Sequence, residues 1–172
     1  MEINYIPCNP VNYQPNRTHP IEYIVIHYVG ALGGAQANAE YFASRNVQAS
    51  AHYFVGFDGE IFQSVKDEDS AWHCGGGLQG KEGGTYHGQC FNNNSIGIEL
   101  CVRKVNTKRL GGDDLDWYFE DATVEAAIEL TKVLMDKYNV PVENVIRHYD
   151  VTGKICPNPY VKHEEQWIAF KN

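Results

Sequence analysis

The distribution of apolar residues along the chain predicts alternating strands and helices. Ile21–Val29 is almost continuously apolar and rich in β-branched residues, which is typical of a strand buried on both faces. Two further apolar runs, Ala51–Phe57 and Glu60–Val65, flank the pair Asp58–Gly59, which is the strongest short-range signal of a β-hairpin. Apolar residues occupy every second position of Ser95–Val102, so this segment is also predicted to be a strand.

Helices are predicted in three segments. Thr123–Tyr138 is the clearest, because its apolar residues form one stripe along a helix. Thr123 is the expected N-cap, and Asn139 is expected to end the helix. Shorter helices are predicted over Gln36–Arg45 and His163–Phe170.

The remaining segments are predicted to be mostly irregular. Residues 1–20 are rich in proline and asparagine and are expected to form an extended arm on the surface. Residues 67–94 are predicted to be a long glycine-rich loop, and loops of this length in a compact domain usually have a functional role. Residues 104–119 are predicted to be a polar loop, and Asn144–Arg147 a short strand. Together these elements indicate an α/β fold with a central mixed sheet flanked by helices, in one domain spanning residues 1–172.

Composition agrees with a globular domain and excludes several classes of partner. Of the 172 residues, 43% are hydrophobic and 21% are charged, and this length suits one domain. The net charge of −8 argues against a nucleic-acid partner, which calls for a basic face. No apolar run approaches the roughly 20 residues that span a membrane. The N-terminus lacks the pattern of a secretory signal, so we expect synthesis in the cytoplasm.

The cysteines point to free thiols. There are five, an odd number, and none forms a CxxC pair. Free thiols are typical of proteins made in a reducing cytoplasm. Cys74 and Cys90 bracket the glycine-rich loop, and we expect them to be thiols; a disulfide that closes this loop is the alternative.

The segment Arg147–Pro157, with the sequence RHYDVTGKICP, carries two candidate metal ligands eight residues apart. His148 and Cys156 supply the imidazole and the thiolate that zinc prefers, and Gly153 lets the chain between them turn back. His27 lies near the end of the first strand, before a glycine cluster. With it, three protein ligands would leave a fourth position open, as in catalytic zinc sites. Otherwise His27 is a hydrogen-bonded core histidine and Cys156 a small buried apolar residue.

Two charged residues have both a catalytic and an ordinary interpretation. Glu99 interrupts an apolar strand, so it either lies on a solvated face or points at the metal and takes a proton from zinc-bound water. Lys154 lies two residues before Cys156. It is either a cation on the surface of a loop or, beside an open zinc site, a group that stabilises the oxyanion of a tetrahedral intermediate.

Five motifs in this order resemble those of the zinc-dependent N-acetylmuramoyl-L-alanine amidases: IVIHYVG, SAHYFVGFDGEIFQ, AWHCGG, NNNSIGIEL and RHYDVTGKICP. This family of phage endolysins and autolysins shares its fold with the peptidoglycan recognition proteins. The similarity runs from about Ile21 to Trp167. It implies hydrolysis of the amide bond between N-acetylmuramic acid and L-alanine in peptidoglycan. It also implies one zinc ion, held by His27, His148 and Cys156.

The same resemblance suggests which residues act on the substrate. Lys154 matches the catalytic lysine of the family's K-x-C motif. Some members carry a catalytic tyrosine just before the hairpin histidine, but Ala51 occupies that position here and Tyr53 should face the other side of the sheet. Another branch of the family has a glutamate in the SIGIE strand, which matches Glu99. We therefore expect Glu99 to be the acid/base residue.

The motif AWHCGG resembles the family's AWHAG, so His73 is expected to contact substrate near the metal. Tyr28 and Trp72 are the other candidate substrate contacts, although packing is the favoured role of Trp72. We expect a monomer with no membrane span, released onto the cell wall as an endolysin. The alternatives are a peptidoglycan-binding module without catalysis and a thiol hydrolase that uses Cys156 with His148 or His27.

Overall fold

The structure is a computed structural model that describes residues 1–75 and 84–172. Its strands, in chain order, are β1 (Ile3–Tyr5), β2 (Tyr13–Gln14), β3 (Tyr23–Tyr28), β4 (Tyr53–Val55), β5 (Ile61–Gln63), β6 (Ser70–Ala71), β7 (Ser95–Leu100), β8 (Arg103–Lys104), β9 (Trp117–Tyr118) and β10 (Val145–Arg147). Its α-helices are α1 (Ala35–Ser44), α2 (Asp121–Tyr138), α3 (His148–Thr152), α4 (Asn158–Lys162) and α5 (Glu164–Lys171). Short 3₁₀ helices lie at Pro10–Asn12, Asn92–Asn94 and Val142–Asn144.

The centre of the fold is a mixed sheet with the strand order β1-β5-β4-β7-β3-β10 among the described residues. Its neighbouring strands are parallel except for the hairpin of β4 and β5. The two central strands, β3 and β7, pair along their whole length, and this register places His27 directly beside Glu99. The predicted α/β fold with a central mixed sheet is therefore confirmed.

The alternation of side chains divides the central strands between two layers. One face packs against α2 and the C-terminal helices and forms the main hydrophobic core, with buried residues that include Ile24, Ile26, Ile96, Ile98, Leu100, Leu130, Leu134 and Trp167. The opposite face carries His27 and Glu99 and is partly covered by α1. Burial of each large apolar side chain stabilises the fold by roughly 1.5–3 kcal/mol. This energy holds the apolar side chains on one face of the sheet, and the side chains that alternate with them therefore point to the opposite, polar face.

The hairpin and the long helix agree with the sequence pattern, with one correction. Gly59 has φ 83°, a left-handed conformation that suits the predicted turn. Asn139, with φ 54°, ends α2 as expected. The prediction that Thr123 is the N-cap is wrong, because α2 begins at Asp121 after the N-cap Glu120. Thr123 is buried in the first turn, where its hydroxyl donates to the carbonyl of Gly56 at 2.8 Å.

Two segments predicted to be irregular contain short strands. Residues 1–20 are more than a surface arm, because β1 joins the edge of the main sheet and β2 pairs with β6. The predicted loop 104–119 is closed at its base by pairing of β8 with β9. Strands of two or three residues leave too little periodicity in a sequence to be recognised.

The predicted glycine-rich loop, residues 67–94, is only partly described. It contains β6 and the 3₁₀ helix Asn92–Asn94, while residues 76–83 lie outside the described residues.

No helix in the part of the chain that the structure describes has the length and apolar character to cross a bilayer.

Candidate active site

The segment after β10 brings His148 and Cys156 together. His148 opens α3, and the helix ends at Gly153, whose φ of 80° is the left-handed conformation that favours glycine. The chain then turns back, and the backbone N–H of Tyr149 donates to the carbonyl of Cys156 at 2.9 Å. The expected reversal between the two candidate ligands is therefore present.

Arg147 fixes this segment to the C-terminal helices. Its guanidinium donates to the carboxylates of Asp150 at 2.9 Å and Glu164 at 2.6 Å, and to the carbonyl of Tyr160 at 2.9 Å. The residue is only 7% exposed, and hydrogen bonds between charged groups are strong in such surroundings. Arg147 thus holds the start of α3, and with it His148, in place.

His27 on β3 completes a compact group of candidate ligands. One ligand atom each from His27, His148 and Cys156 lies within 4.8 Å of the other two. The sulfur of Cys156 is 3.7 Å from Nδ1 of His27. Ligands bound to one zinc at about 2.0–2.3 Å are roughly 3–4 Å apart. The three side chains therefore fit one zinc ion with a small contraction of the group.

The protonation states suit a cation at this position. Burial lowers the pKa of His27 well below its usual value, and burial lowers the pKa of His148 to about 3. Both imidazoles are thus neutral at pH 7 and have a free lone pair. Burial raises the pKa of the Cys156 thiol, and the charge of Glu99 raises it further. A thiolate is stable here only when a cation compensates it, which is the role of a metal ion.

Glu99 points into the site from β7. Its Oε1 is 4.0 Å from Nδ1 of His27, and its side chain is 20% exposed. Its Oε2 is buried and has no hydrogen-bond partner among the described residues. Burial raises the pKa of this carboxyl to about 8, while the nearby Lys154 acts in the opposite direction. Glu99 therefore does not lie on a solvated strand face, and it is poised to exchange a proton near neutral pH.

A cavity of about 410 Å³ opens at this group of residues. It is lined by all eight site residues expected from the sequence: the candidate metal ligands His27, His148 and Cys156, the acid/base candidate Glu99, the cation Lys154, and the candidate substrate contacts Tyr28, Trp72 and His73. Lys154 is exposed at the rim. Burial raises the pKa of Tyr28 to about 12, so its hydroxyl stays neutral at pH 7.

Tyr53 lies on the other side of the sheet. Its hydroxyl donates to Asp67 at 2.7 Å, and its ring belongs to the core beneath α2. It does not line the cavity at the candidate ligands. This position agrees with the expectation that Tyr53 faces away from the metal.

The loop between β8 and β9 supplies part of the cavity wall that the sequence did not reveal. Leu110 and Gly112 line the cavity. The loop is held by Lys104, whose side chain is 1% exposed and whose Nζ is 3.1 Å from Asp114 and 2.6 Å from Asp116. The only sign of this contact in the sequence is a lysine followed by aspartates ten and twelve positions later. That spacing predicts an ion pair only once β8 and β9 are known to pair.

Comparisons with known proteins agree on one family. The family model described as N-acetylmuramoyl-L-alanine amidase matches residues 17–159. The amidase BlyA of Bacillus subtilis is 30% identical over 177 residues, which cover 98% of this chain and 45% of BlyA. The amidase CwlH of the same organism is 30% identical over 172 residues, which cover 98% of this chain and 58% of CwlH. The chain thus spans about half the length of these relatives.

Solved structures of similar proteins have the same fold over nearly the whole chain. The structure of PlyL superimposes with a TM-score of 0.74 at 28% identity, covering 99% of this chain and 95% of PlyL. The catalytic domain of XlyA superimposes with a TM-score of 0.73 at 28% identity, covering 99% of this chain and 97% of that domain.

Proposed function

Because the chain belongs to the N-acetylmuramoyl-L-alanine amidase family, we propose that it is a zinc-dependent amidase of the bacterial cell wall. Its substrate would be peptidoglycan, cut between N-acetylmuramic acid and L-alanine. The observation that carries the proposal is the meeting of two imidazoles, a thiol, a buried carboxyl and a lysine on one cavity. We expect the protein to act on the cell wall as a monomer, in the manner of an endolysin.

In this proposal His27, His148 and Cys156 hold one zinc ion. When bound, the ion supplies Lewis-acid chemistry: it polarises a carbonyl and acidifies water. The lone pairs of the two neutral imidazoles are available to it. The backbone N–H of Tyr28 donates to the sulfur of Cys156, which favours the thiolate form that a metal needs.

Glu99 would move the proton of the reaction. In its ionised form it takes a proton from the water that attacks the lactyl carbonyl. It then passes this proton to the amine of L-alanine as the amide bond breaks, so the products are the glycan and a free stem peptide. A carboxyl whose pKa is raised to about 8 by burial can both accept and return a proton.

Lys154 would stabilise the charge that develops during the reaction. Lys154 is exposed and lines the same cavity as the candidate ligands. A cation in this position stabilises the oxyanion of the tetrahedral intermediate more than it stabilises the neutral amide. Tyr28, Trp72 and His73 line the same cavity and are proposed to contact the substrate.

Two other functions are disfavoured by the site. A thiol hydrolase needs an accessible thiolate, whereas Cys156 is 3% exposed and burial raises the pKa of its thiol. A peptidoglycan-binding module without catalysis would have no need to bury Glu99 beside three metal-ligand side chains.

Digestion of purified peptidoglycan, with mass analysis of the products, tests the proposal. We expect stem peptides with a free L-alanine amine, and we expect a chelator to abolish their release until zinc is restored. Cys156→Ser should lose stoichiometric zinc and activity together. Stem-peptide release that survives metal removal would instead support a thiol enzyme, and binding without release would support a binding module.

A further inference from the structure

His73 connects the candidate zinc ligands to β7 through a chain of hydrogen bonds. Nδ1 of His73 is 2.9 Å from Nε2 of His27. Its other ring nitrogen, Nε2, is 3.0 Å from the hydroxyl oxygen of Ser95. That hydroxyl in turn donates to the backbone carbonyl of Phe91 at 2.7 Å. The chain therefore runs from a candidate metal ligand to a fixed backbone oxygen.

The carbonyl at the end of this chain sets the direction of every bond in it. A carbonyl oxygen only accepts, so the single hydroxyl proton of Ser95 goes to Phe91. Ser95 must then accept a proton from Nε2 of His73. A neutral His73 with its proton on Nε2 has a lone pair on Nδ1, so it accepts from Nε2–H of His27. The proton of His27 is thus held on Nε2, and Nδ1 keeps the lone pair that a metal needs.

The surroundings hold the ring of His73 in this orientation. A Cβ at Gly97 would lie only 2.6 Å from Cγ of His73, so the ring packs directly on the strand backbone at a position that only glycine permits. The backbone of the motif is fixed as well. The side-chain oxygen of Asn92 accepts from the N–H groups of His73 at 3.0 Å and of Cys74 at 2.9 Å.

We propose that His73 is a positioning residue that fixes the tautomer of His27, and that Ser95 and Gly97 are the residues that orient it. The inference rests on the proposed zinc site and adds to the substrate contact expected of His73. It explains why a histidine, with an acceptor on one side and a donor on the other, lies between His27 and Ser95. A side chain without an acceptor at the Nδ1 position would leave His27 free to carry its proton on either nitrogen.

Tautomers in the metal-free protein provide the direct test. Long-range ¹H–¹⁵N correlation spectra of protein labelled with ¹⁵N-histidine show which ring nitrogen carries the proton. We expect His27 to be neutral with its proton on Nε2, and His73→Leu to give a mixture of both tautomers at His27. A proton on Nδ1 of His27 in the parent protein, or an unchanged His27 in His73→Leu, would overturn the proposal.

Zinc affinity, measured by competition with a chromophoric chelator, provides the second test. His73→Leu should weaken zinc binding by roughly 10–100-fold, the usual effect of removing a residue that orients a metal ligand. His73→Asn replaces Nδ1 with an amide oxygen that still accepts from His27, so it should retain most of the affinity. Equal losses in the two variants would show that only packing matters and would refute the role.

A matched control and a second variant separate this role from misfolding and from failure of the zinc proposal. His163→Leu removes a histidine whose Nε2 is bonded to the carbonyl of Leu115 instead of to the ligand group, and it should leave zinc affinity unchanged. Ser95→Ala keeps His73 but removes the directed bond, so we expect His73 itself to show mixed tautomers; a single tautomer there would contradict the proposal. If the parent protein binds no zinc, the zinc proposal fails, while the spectra still decide whether His73 fixes the tautomer of His27.

Discussion

At the scale of single residues, position on the sheet determines the chemistry of each side chain. Glu99 and Tyr53 lie on neighbouring strands, yet only Glu99 projects into the cavity with the candidate ligands. The alternation of the strand, which the sequence already shows, separates them. The pKa of Glu99 follows from burial on that face, whereas the hydroxyl of Tyr53 is bonded to Asp67.

The acid/base role of Glu99 leads to a clear kinetic expectation. Glu99→Gln keeps the shape of the side chain but cannot accept a proton, so turnover should fall by roughly 10²–10⁴-fold. Zinc content and binding of wall fragments should stay close to those of the parent protein. Tyr53→Phe is the matched control and should keep near-normal turnover. Peptide release by the three proteins from one peptidoglycan preparation gives the answer, and near-normal turnover by Glu99→Gln would rule out this mechanism.

The same residue gives the metal-free protein a predictable dependence of stability on pH. Burial raises the folded-state pKa of Glu99 from 4.5 to about 8, so its protonated form is favoured by folding. Folding therefore loses stability as pH rises from the unfolded pKa to about 8. Glu99→Gln stays neutral, so its Tm should exceed that of the parent at pH 9 and match it near pH 4. Thermal unfolding in a chelator at both pH values measures this, and an equal difference at both would contradict it.

At the scale of elements, the sequence predicted the parts whose pattern is long enough to repeat. The central strands, the hairpin and α2 all have a continuous apolar pattern, and each lies where the pattern places it. The pattern could not show β8 and β9, because two residues contain no period. Nor could it show that Thr123 bonds to Gly56 instead of capping its helix, because that contact joins segments far apart in the chain.

The loop between β8 and β9 carries a prediction about substrate binding. Lys104→Met leaves the carboxylates of Asp114 and Asp116 without their buried cation, so Leu110 and Gly112 should lose their fixed position in the cavity wall. We expect KM to rise several-fold and Tm to fall, while zinc content stays unchanged.

Arg103→Met is the control for this loop, because the neighbouring Arg103 forms an exposed ion pair with Glu120. Exposed pairs contribute little to stability, so KM and Tm should hardly change in this variant. Steady-state kinetics and thermal unfolding of both variants provide the comparison. Equal effects of the two substitutions would show that the loop does not depend on its buried lysine.

At the scale of the whole molecule, the residues of the candidate site could be predicted from the sequence, whereas the contacts that support them could not. The ligand types and the motifs that contain them are visible in the sequence, so eight of the residues that line the cavity were expected there. The residues that orient them were not. Gly97 shows that something approaches the strand closely, but only the fold reveals that it is the ring of His73. Likewise, Ser95 gave no signal beyond its place at the start of β7.

The redox state of the molecule also remains a prediction. Cys74 and Cys90 are buried in one cluster, and both are free cysteines in the structure. A bridge between them would be worth about 3 kcal/mol in the chain-entropy model, whereas free thiols are what we expect if the protein is made in a reducing compartment. Thiol titration of the denatured, zinc-free protein should find all five cysteines reactive. Three reactive cysteines would support the bridge.

The placement of the candidate ligands would make a bound metal ion a cross-link between distant parts of the chain. His27 lies next to the C-terminal end of the central strand β3, whereas His148 and Cys156 follow β10, which is the outermost strand of the described sheet on that side. An ion bound to all three would close a long loop and resist separation of that strand from its neighbour. Zinc at 1,000 times its Kd would stabilise the folded state by about 4 kcal/mol. Chelation should therefore speed amide hydrogen exchange in residues 145–156 before it does so in the hairpin of β4 and β5. Separation of β10 would expose the edge of β3, and this edge would be the first part of the metal-free protein open to aggregation.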